Sequence, residues 1–344
     1  MATIYDVAAK AGVSAKTVSR VINGEPNVRS KTLDAVTAAI ADLGYRPSTA
    51  ARMMKSQRNN VIGFLTDRIV TRPETVDIAR GVSETARELG QTVLFMTHSD
   101  TSAPLQGPEY NSLIDLNVDG LIYAAHINER VELAHTKLAC PTVLANCFSN
   151  DTHITSIIPD DMAGGFLAGQ MLIDHGHKHV AMLNLDEKAF ASSRRAKGFS
   201  QAFAKANLPK PIIRTALDER AGSWDEHECV PAVLDTVMSM SPRPTALFCG
   251  NDKMAMVVYG LLTERGLSVP YDISVVGFDD YPLITRLLRP QLSSVAIAFD
   301  EIGRRAVREL MAQIETHTQA AVHTTHQIEV PGTPAPRGSI KVIS

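Results

Sequence analysis

Several protein classes are excluded by what this chain lacks. Its four cysteines, Cys140, Cys147, Cys229 and Cys249, form no Cys-x-x-Cys pair, so there is neither a zinc-knuckle nor a thioredoxin-type signature, and reduced, mostly buried thiols are expected. No apolar run approaches the roughly 20 residues that span a bilayer. The first residues also lack the basic-then-apolar pattern of a secretory leader, so a cytoplasmic protein without membrane contact is expected. There is no Gly-x-Ser-x-Gly elbow, His-Glu-x-x-His pair or phosphate-binding loop, and the scattered histidines and carboxylates do not define a catalytic centre. The run His175-Gly176-His177-Lys178-His179 reads as a glycine turn before a strand rather than a metal site. Gly164-Gly165…Gly169 reads as helix packing rather than a nucleotide cradle. No metal, cofactor or catalytic residue is expected. Aromatics are scarce, at 5%, with Trp224 the single tryptophan.

What is present divides unevenly. At 344 residues and 44% hydrophobic content, the chain is long enough for two or three domains. The net charge of −3 conceals an asymmetry: residues 1–60 hold nine Lys/Arg against four Asp/Glu, or +5, which leaves −8 for the remainder. A basic end on an acidic body fits a polyanion partner at one end only.

The basic end reads as short helices. Val13 to Asn23 places Val18, Val21 and Ile22 on one helical face and Lys16, Ser19, Arg20 and Asn23 on the other. Ser14 is suited to cap it. Upstream, Thr3 can cap a helix carrying Ile4, Val7, Ala8 and Ala11, with Asp6 as the acidic partner of a capping box, and Gly12 makes the turn. A third helix, Ser30 to Leu43, is expected to bury Leu33, Val36, Ile40 and Leu43 and to stop at Gly44. Two helices joined by a tight turn match the helix-turn-helix, whose second helix enters the major groove.

The run Ile4-Tyr5-Asp6-Val7-Ala8…Gly12-Val13-Ser14…Thr17-Val18-Ser19-Arg20-Val21-Ile22-Asn23-Gly24…Leu43-Gly44-Tyr45-Arg46-Pro47 closely resembles the headpiece of LacI/GalR-family transcription regulators. The resemblance implies base readout by Ala15, Lys16 and Arg20 and phosphate contacts by Thr17, Ser19 and Asn23. That division agrees with the chemistry, since Arg and Lys can donate to guanine O6 and N7 while hydroxyl and amide groups serve the backbone. It also implies a hinge after Pro47, containing Arg52 and Met54, that helps bind DNA. Met54 stands where the family inserts a leucine into the minor groove, and an unbranched thioether is a softer wedge. Ser48 likewise replaces the usual asparagine.

From Val61 the pattern alternates between short apolar strands and amphipathic helices. Strands are expected at Val61–Leu65, Thr92–Met96, Gly120–Tyr123, Thr142–Leu144, Val180–Leu183, Thr245–Cys249 and Ile273–Phe278. Helices are expected at Ile78–Leu89, Met162–His175, Arg195–Ala206 and Asp252–Gly266. Such alternation implies parallel α/β sheets that bind ligands beyond the strands' carboxyl ends. Taken with the resemblance, which implies the hinge and the sensor type, the expected architecture is an all-α helix-turn-helix headpiece (1–46), a hinge (47–60) and an α/β two-lobed, periplasmic-binding-protein-like sensor (61–344). The resemblance supplies the lobe crossovers: a first lobe of about 61–158 and 290–320, and a second of about 159–289 and 321–344.

Four residues fall where the resembled family keeps effector contacts. Arg195 precedes Gly198-Phe199, Trp224 follows strand-like Ile212-Ile213, Asn251 opens Asn-Asp-x-Met-Ala, and Asp279 follows Val275-Val276-Gly277-Phe278. Asp67 and Asn146, each after a strand, are further candidates. Each has an ordinary alternative as well: Asn251 as a helix cap, Trp224 as packing, Arg195 and Asp279 as solvated charges. An aromatic face with Arg, Asn and Asp suits a pyranose ring. The segment Arg68 to Glu74 departs from the family's loop, so effector identity does not carry over.

The functional expectation is a homodimeric repressor that binds a near-palindromic operator and is relieved by a small sugar. The alternatives are a nucleobase or phosphorylated-metabolite corepressor in the same DNA-binding role, or a sugar-processing enzyme with a helical appendage. The Pro-rich tail lacks the leucine heptads that join dimers into tetramers in some relatives.

Overall fold

The computed structural model describes residues 2–22, 26, 28–45, 58–67, 73–98, 105–133, 138–151, 153–217, 227–318 and 326–343. They form two compact units, Met1–Asn60 and Val61–Ser344.

In the first unit, α1 (Ile4–Ala11) begins with the capping box anticipated from Thr3 and Asp6. The Asp6 N–H donates to Thr3 Oγ1 at 3.3 Å, and the Thr3 N–H donates to the Asp6 carboxylate at 2.7 Å. Both bonds use amides that a helix start leaves without partners. Gly12, at φ 65°, ends the helix in the left-handed region that glycine enters without steric cost. Ser14 Oγ then accepts from the Thr17 N–H at 3.2 Å at the start of α2 (Ala15–Ile22), and α3 (Ser30–Leu43) closes the unit. Val7, Ala8, Val18, Val36 and Ala39 form the core. Leu33 corrects the expected stripe: it is 45% exposed. The core of so small a unit does not extend a full turn before Val36, and small units leave a large share of apolar surface uncovered.

The second unit runs β1 (Val61–Thr66), α4 (Pro73–Glu88), β2 (Thr92–Thr97), α5 (Pro108–Asp115), β3 (Gly120–Arg130), β4 (Thr142–Phe148), β5 (Thr155–Pro159), α6 (Asp161–Asp174), β6 (Val180–Asn184), α7 (Phe190–Lys205), β7 (Ile212–Thr215), α8 (Val230–Met238), β8 (Ala246–Cys249), α9 (Asp252–Glu264), β9 (Ser274–Val276), α10 (Pro282–Thr285), β10 (Ser294–Ala296), α11 (Phe299–Thr318), β11 (Gln327–Val330) and β12 (Thr333–Ala335). Two parallel sheets define two lobes. One has the order β11-β5-β4-β3-β1-β2 and the other β7-β6-β8-β9, while β10 and β12 form a small antiparallel ribbon. Helices α4 and α11 pack Ile78, Val82, Ile302 and Leu310 against the first sheet. Helices α6 and α7 cover one face of the second with Leu172, Phe199 and Phe203, and α8 and α9 cover the other with Leu234, Met254 and Val258.

The lobe boundaries differ from the expected ones in two places. Strand β11 pairs with β5, so residues 327–330 belong to the first lobe, whereas 321–344 was assigned to the second. Residues 292–296 stay with the second lobe: Ser293 bridges Val276, Ala296 bridges Asp279, and Leu292 and Val295 lie in its core. A strand's own residues do not name its partner: β5 lies more than a hundred residues before β11, whereas Ser293 and Ala296 bridge Val276 and Asp279 shortly before them in the same lobe, so the chain leaves that lobe only after β10. After β12 the tail returns to the second lobe, where Ser339 and Ile343 bond to Val275 and His175.

Strand β3 is also longer than Gly120–Tyr123. It continues to Arg130 through a register shift against β4 between Ala124 and Glu129. Bulges of this kind re-aim side chains beside functional sites, and this one carries His126, Asn128 and Glu129 to the lobe boundary.

Candidate functional site

A cavity of about 910 Å³ lies between the lobes at the carboxyl ends of both sheets, the position expected for a ligand of such a fold. Of the residues singled out in the sequence, Arg195, Asn251, Asp279 and Asn146 line it together. Asp67 does not line it; its carboxylate is turned to His126 Nδ1. Trp224 lies outside the described residues, as do Asn23, Arg52 and Met54 of the expected DNA-binding set.

Arg195 reaches the cavity because two glycines let α6 and α7 touch backbone to backbone. A Cβ on Gly165 would collide with the Arg195 carbonyl, and one on Gly198 with that of Met162. Arg195 is 6% exposed. It donates through Nε to Asp161 Oδ1 at 2.8 Å and through Nη1 to the Gly250 carbonyl at 2.6 Å, with its guanidinium 3.8 Å over the Phe278 ring. Asp161 is fully buried, and its other oxygen accepts from Asn128 Nδ2 of the first lobe at 2.8 Å. A buried charge persists only when paired and hydrogen-bonded, so this arrangement holds Arg195 in one orientation before any ligand arrives.

Asp279 stands 3.7 Å from Arg195, on a backbone at φ 104°, a strained conformation for any residue except glycine. Burial pushes its carboxyl up to about 7, opposed by Arg195 and Lys253 and helped by Glu74 and Asp161. Asn251 is both cap and lining residue: its Oδ1 accepts from the Met254 N–H at 2.8 Å, so a ligand competes for an oxygen already in use. Next to it, buried Asp252 accepts from the Tyr281 N–H and Ser294 Oγ, each at 2.7 Å, and so ties the loop after Asp279 to α9. Burial holds its proton well above the usual carboxylate range. Asn146, at φ 54°, donates to the Ala125 carbonyl at 3.0 Å.

The sequence reading missed residues that only the fold brings together. Lys253 meets Glu74 across the lobes at 3.3 Å, and Phe148 and Phe190 meet across them with ring centroids 4.4 Å apart. Phe299 lines the same cavity from the crossover. Lys253 alone carried a local signal, as the variable residue of Asn-Asp-x-Met-Ala. His175 and His177 are committed to carbonyls and Thr245. Among the described residues no group of three His, Cys, Asp or Glu can hold a metal ion, and no helix is long and apolar enough to cross a membrane.

On the first unit, Lys16 of α2 is exposed, and Ala15, Thr17, Ser19 and Arg20 are half-buried. Thr17 Oγ1 shares a hydrogen bond with Ser14 Oγ at 3.0 Å, and Arg20 Nη2 donates to the Pro26 carbonyl at 3.4 Å. Tyr5, overlooked in the sequence, is 74% exposed on α1 and carries a hydroxyl suited to phosphate contacts.

A helix-turn-helix unit in one chain with a two-lobed ligand-binding unit defines a DNA-binding regulator with a small-molecule sensor. Residues 3–48 match the model of bacterial regulatory proteins of the lacI family, and residues 170–340 match that of a periplasmic binding protein-like domain. The chain is similar to the sucrose operon repressor of Escherichia coli, at 32% identity over 90% of this chain and 94% of that one. It is also similar to the HTH-type transcriptional repressor PurR of Aliivibrio fischeri, at 33% identity over 92% of each. Its fold matches the crystal structure of the lac repressor dimer bound to operator, with a TM-score of 0.74 and 24% identity over 99% of each chain. The chain belongs to the lacI family of bacterial regulatory proteins.

Proposed function

We propose that this protein is a cytoplasmic, homodimeric, non-enzymatic repressor of carbohydrate-utilisation genes, released from a near-palindromic operator by a small uncharged sugar. The observation that carries the sugar reading is that three of the four cations lining the cleft, Arg130, Arg195 and Lys253, face carboxylates, while Lys188 is exposed. Arg195 faces Asp161 and Lys253 faces Glu74, which disfavours a phosphorylated metabolite. The amides of Asn128, Asn146 and Asn251, the carboxyl of Asp279 and the rings of Phe148, Phe190 and Phe299 suit a hydroxyl-rich ring.

On the DNA side, Lys16 and Arg20 read base edges, with Ala15 offering a methyl. Thr17, Ser19 and Asn23 hold phosphates, and Arg52 and Met54 act from the hinge. Two-fold symmetry of the dimer accounts for a near-palindromic site. The effector shifts the balance between lobe arrangements and lowers operator affinity to the extent that it prefers one of them.

The test is selection of genomic fragments by the purified full-length protein, followed by release with mono- and disaccharides and with purine bases. Release by a sugar that is recovered unchanged supports the proposal. Release or tightening by a purine alone replaces the effector, turnover of the sugar makes the protein an enzyme, and failure to retain any palindromic fragment overturns the regulator.

A further inference from the structure

The first-lobe wall of the cleft holds a buried acid–imidazole pair that the effector reading leaves unused. Asp67, at the end of β1, has a side chain 1% exposed, and its Oδ2 engages Nδ1 of His126. Burial raises the carboxyl's pKa, but the hydrogen bond from His126 and a backbone hydrogen bond at Asp67 lower it, and the net displacement is downward, so Asp67 remains a carboxylate. His126 lies in the irregular stretch of β3 between Ala124 and Glu129, where the register against β4 shifts, and it lines the cavity. Its neighbours on that wall are Asn128, already donating to Asp161, and Glu129, whose carboxyl burial holds above its ordinary value.

A carboxylate accepts hydrogen bonds and cannot donate them, so it selects the imidazole form protonated on Nδ1. With Nδ1 committed, Nε2 is the polar atom the ring has left for a molecule in the cleft. We infer that His126 contacts the effector through Nε2, taking a hydrogen bond from a ligand hydroxyl, and that Asp67, outside the cavity, positions the ring and fixes its tautomer. This rests on the reading of the cleft as the effector site. It gives the first lobe an anchor opposite Arg195 and Asp279 of the second, so a hydroxylated ring held at both ends links the lobes. Asp67 thereby changes role, from a direct contact to a positioning residue.

Asparagine and glutamine separate the two nitrogens of histidine: the amide of asparagine falls near Nδ1, that of glutamine near Nε2. Full-length wild type, His126→Asn, His126→Gln, Asp67→Asn and the double variant Asp67→Asn/His126→Gln are titrated calorimetrically with sucrose, ribose, cellobiose, adenine and hypoxanthine, after thermal unfolding has confirmed that each folds. For a compound that binds wild type, His126→Asn is expected to weaken binding about tenfold or more and Asp67→Asn about fivefold, the loss of one buried hydrogen bond or of its orientation. His126→Gln is expected to stay within about threefold, and Asp67→Asn to add nothing on that background, since coupled residues are not additive. Equal weakening by Asp67→Asn on both backgrounds, or wild-type binding by His126→Asn, overturns the inference. Binding of a purine but no sugar defeats the sugar reading and leaves this cycle to be read with the purine. If none of the five binds, nitrogen-15 spectra of the histidine rings decide: one ring in the Nδ1-protonated form that loses this form in Asp67→Asn supports the pair, and unchanged spectra overturn it.

Discussion

The headpiece and the sensor place the side chains proposed for recognition on opposite sides of the hydrophobic boundary. Lys16 is exposed on α2, whereas Arg195 is 6% exposed and Asp161 fully buried. A nucleic acid is too large to enclose, so its readers must stand out from the core. A small molecule can be enclosed, so its contacts are themselves part of the packing. Substitutions in the headpiece should therefore separate recognition from stability, and substitutions in the cleft should not.

The largest effect that sharpens this contrast is expected from Arg195→Ala. It leaves Asp161 buried without its guanidinium partner, with Asn128 still bonded to it among the described residues, and should destabilise the sensor by about 3–5 kcal/mol, the usual result of removing one partner of a buried pair. Effector response should disappear as well. Urea unfolding of the full-length protein measures the first effect and sugar-driven operator release the second. A variant as stable as wild type would mean that Arg195 is a surface contact and that the two units do not differ in this respect.

Arg20→Ala is the counterpart. If Arg20 reads a base, operator affinity should fall by about 1–3 kcal/mol with relaxed specificity at one position, while sensor unfolding and sugar binding stay unchanged. Fluorescence anisotropy on operators varied base by base makes the distinction. Uniform weakening across all of them would assign Arg20 to phosphate instead.

The same contrast explains what could be read from the sequence. Headpiece signals are local: the Thr3–Asp6 box, the Gly12 turn and the Val18-Val21-Ile22 face each lie within one or two helical turns. In the sensor, alternating strands and helices revealed the parallel sheets, and Arg195, Asn251, Asp279 and Asn146 lie at strand exits or helix starts where such folds bind ligands. Glu74 with Lys253, Asn128 with Asp161, and Phe148 with Phe190 meet only because chain segments far apart cross between lobes. Asp67 shows the limit of positional reasoning, because its place at a strand end was legible but the direction of its carboxylate depended on His126, some sixty residues later. The β11 partner was unreadable for the same reason.

A smaller effect tests the headpiece alone. Thr3→Ala removes the side-chain half of the capping box and should cost the first unit about 1 kcal/mol. Hydrogen exchange should show faster opening of α1, with the protected strands β6 and β8 of the second sheet unaffected. A comparable change in those strands would mean that the units unfold together, and the contrast drawn between them would fail.

The smallest expected effect is a pH dependence that distinguishes Asp279 from Asp67 within the sensor. Asp279 has an ordinary carboxyl pKa near 3.8 when unfolded and about 7 when folded, chiefly through burial. Between those values the folded state binds more protons than the unfolded one, so this group's contribution to stability falls as pH rises through the window and levels off above about 7. Sugar affinity should move the other way. The ionised carboxylate accepts stronger hydrogen bonds from hydroxyls than the acid does, so binding should tighten about threefold from pH 6 to 8. Asp279→Asn should flatten the binding profile but leave part of the stability profile, because Asp252 also holds its proton well above the usual range. Asp67, whose pKa is lowered in the folded state, has the opposite sign: its contribution is present above its ordinary pKa and is lost as the pH falls through its folded one. A titration series at constant ionic strength separates the two carboxyls, and a binding profile that keeps its slope in Asp279→Asn would move the titrating contact to another residue of the cleft.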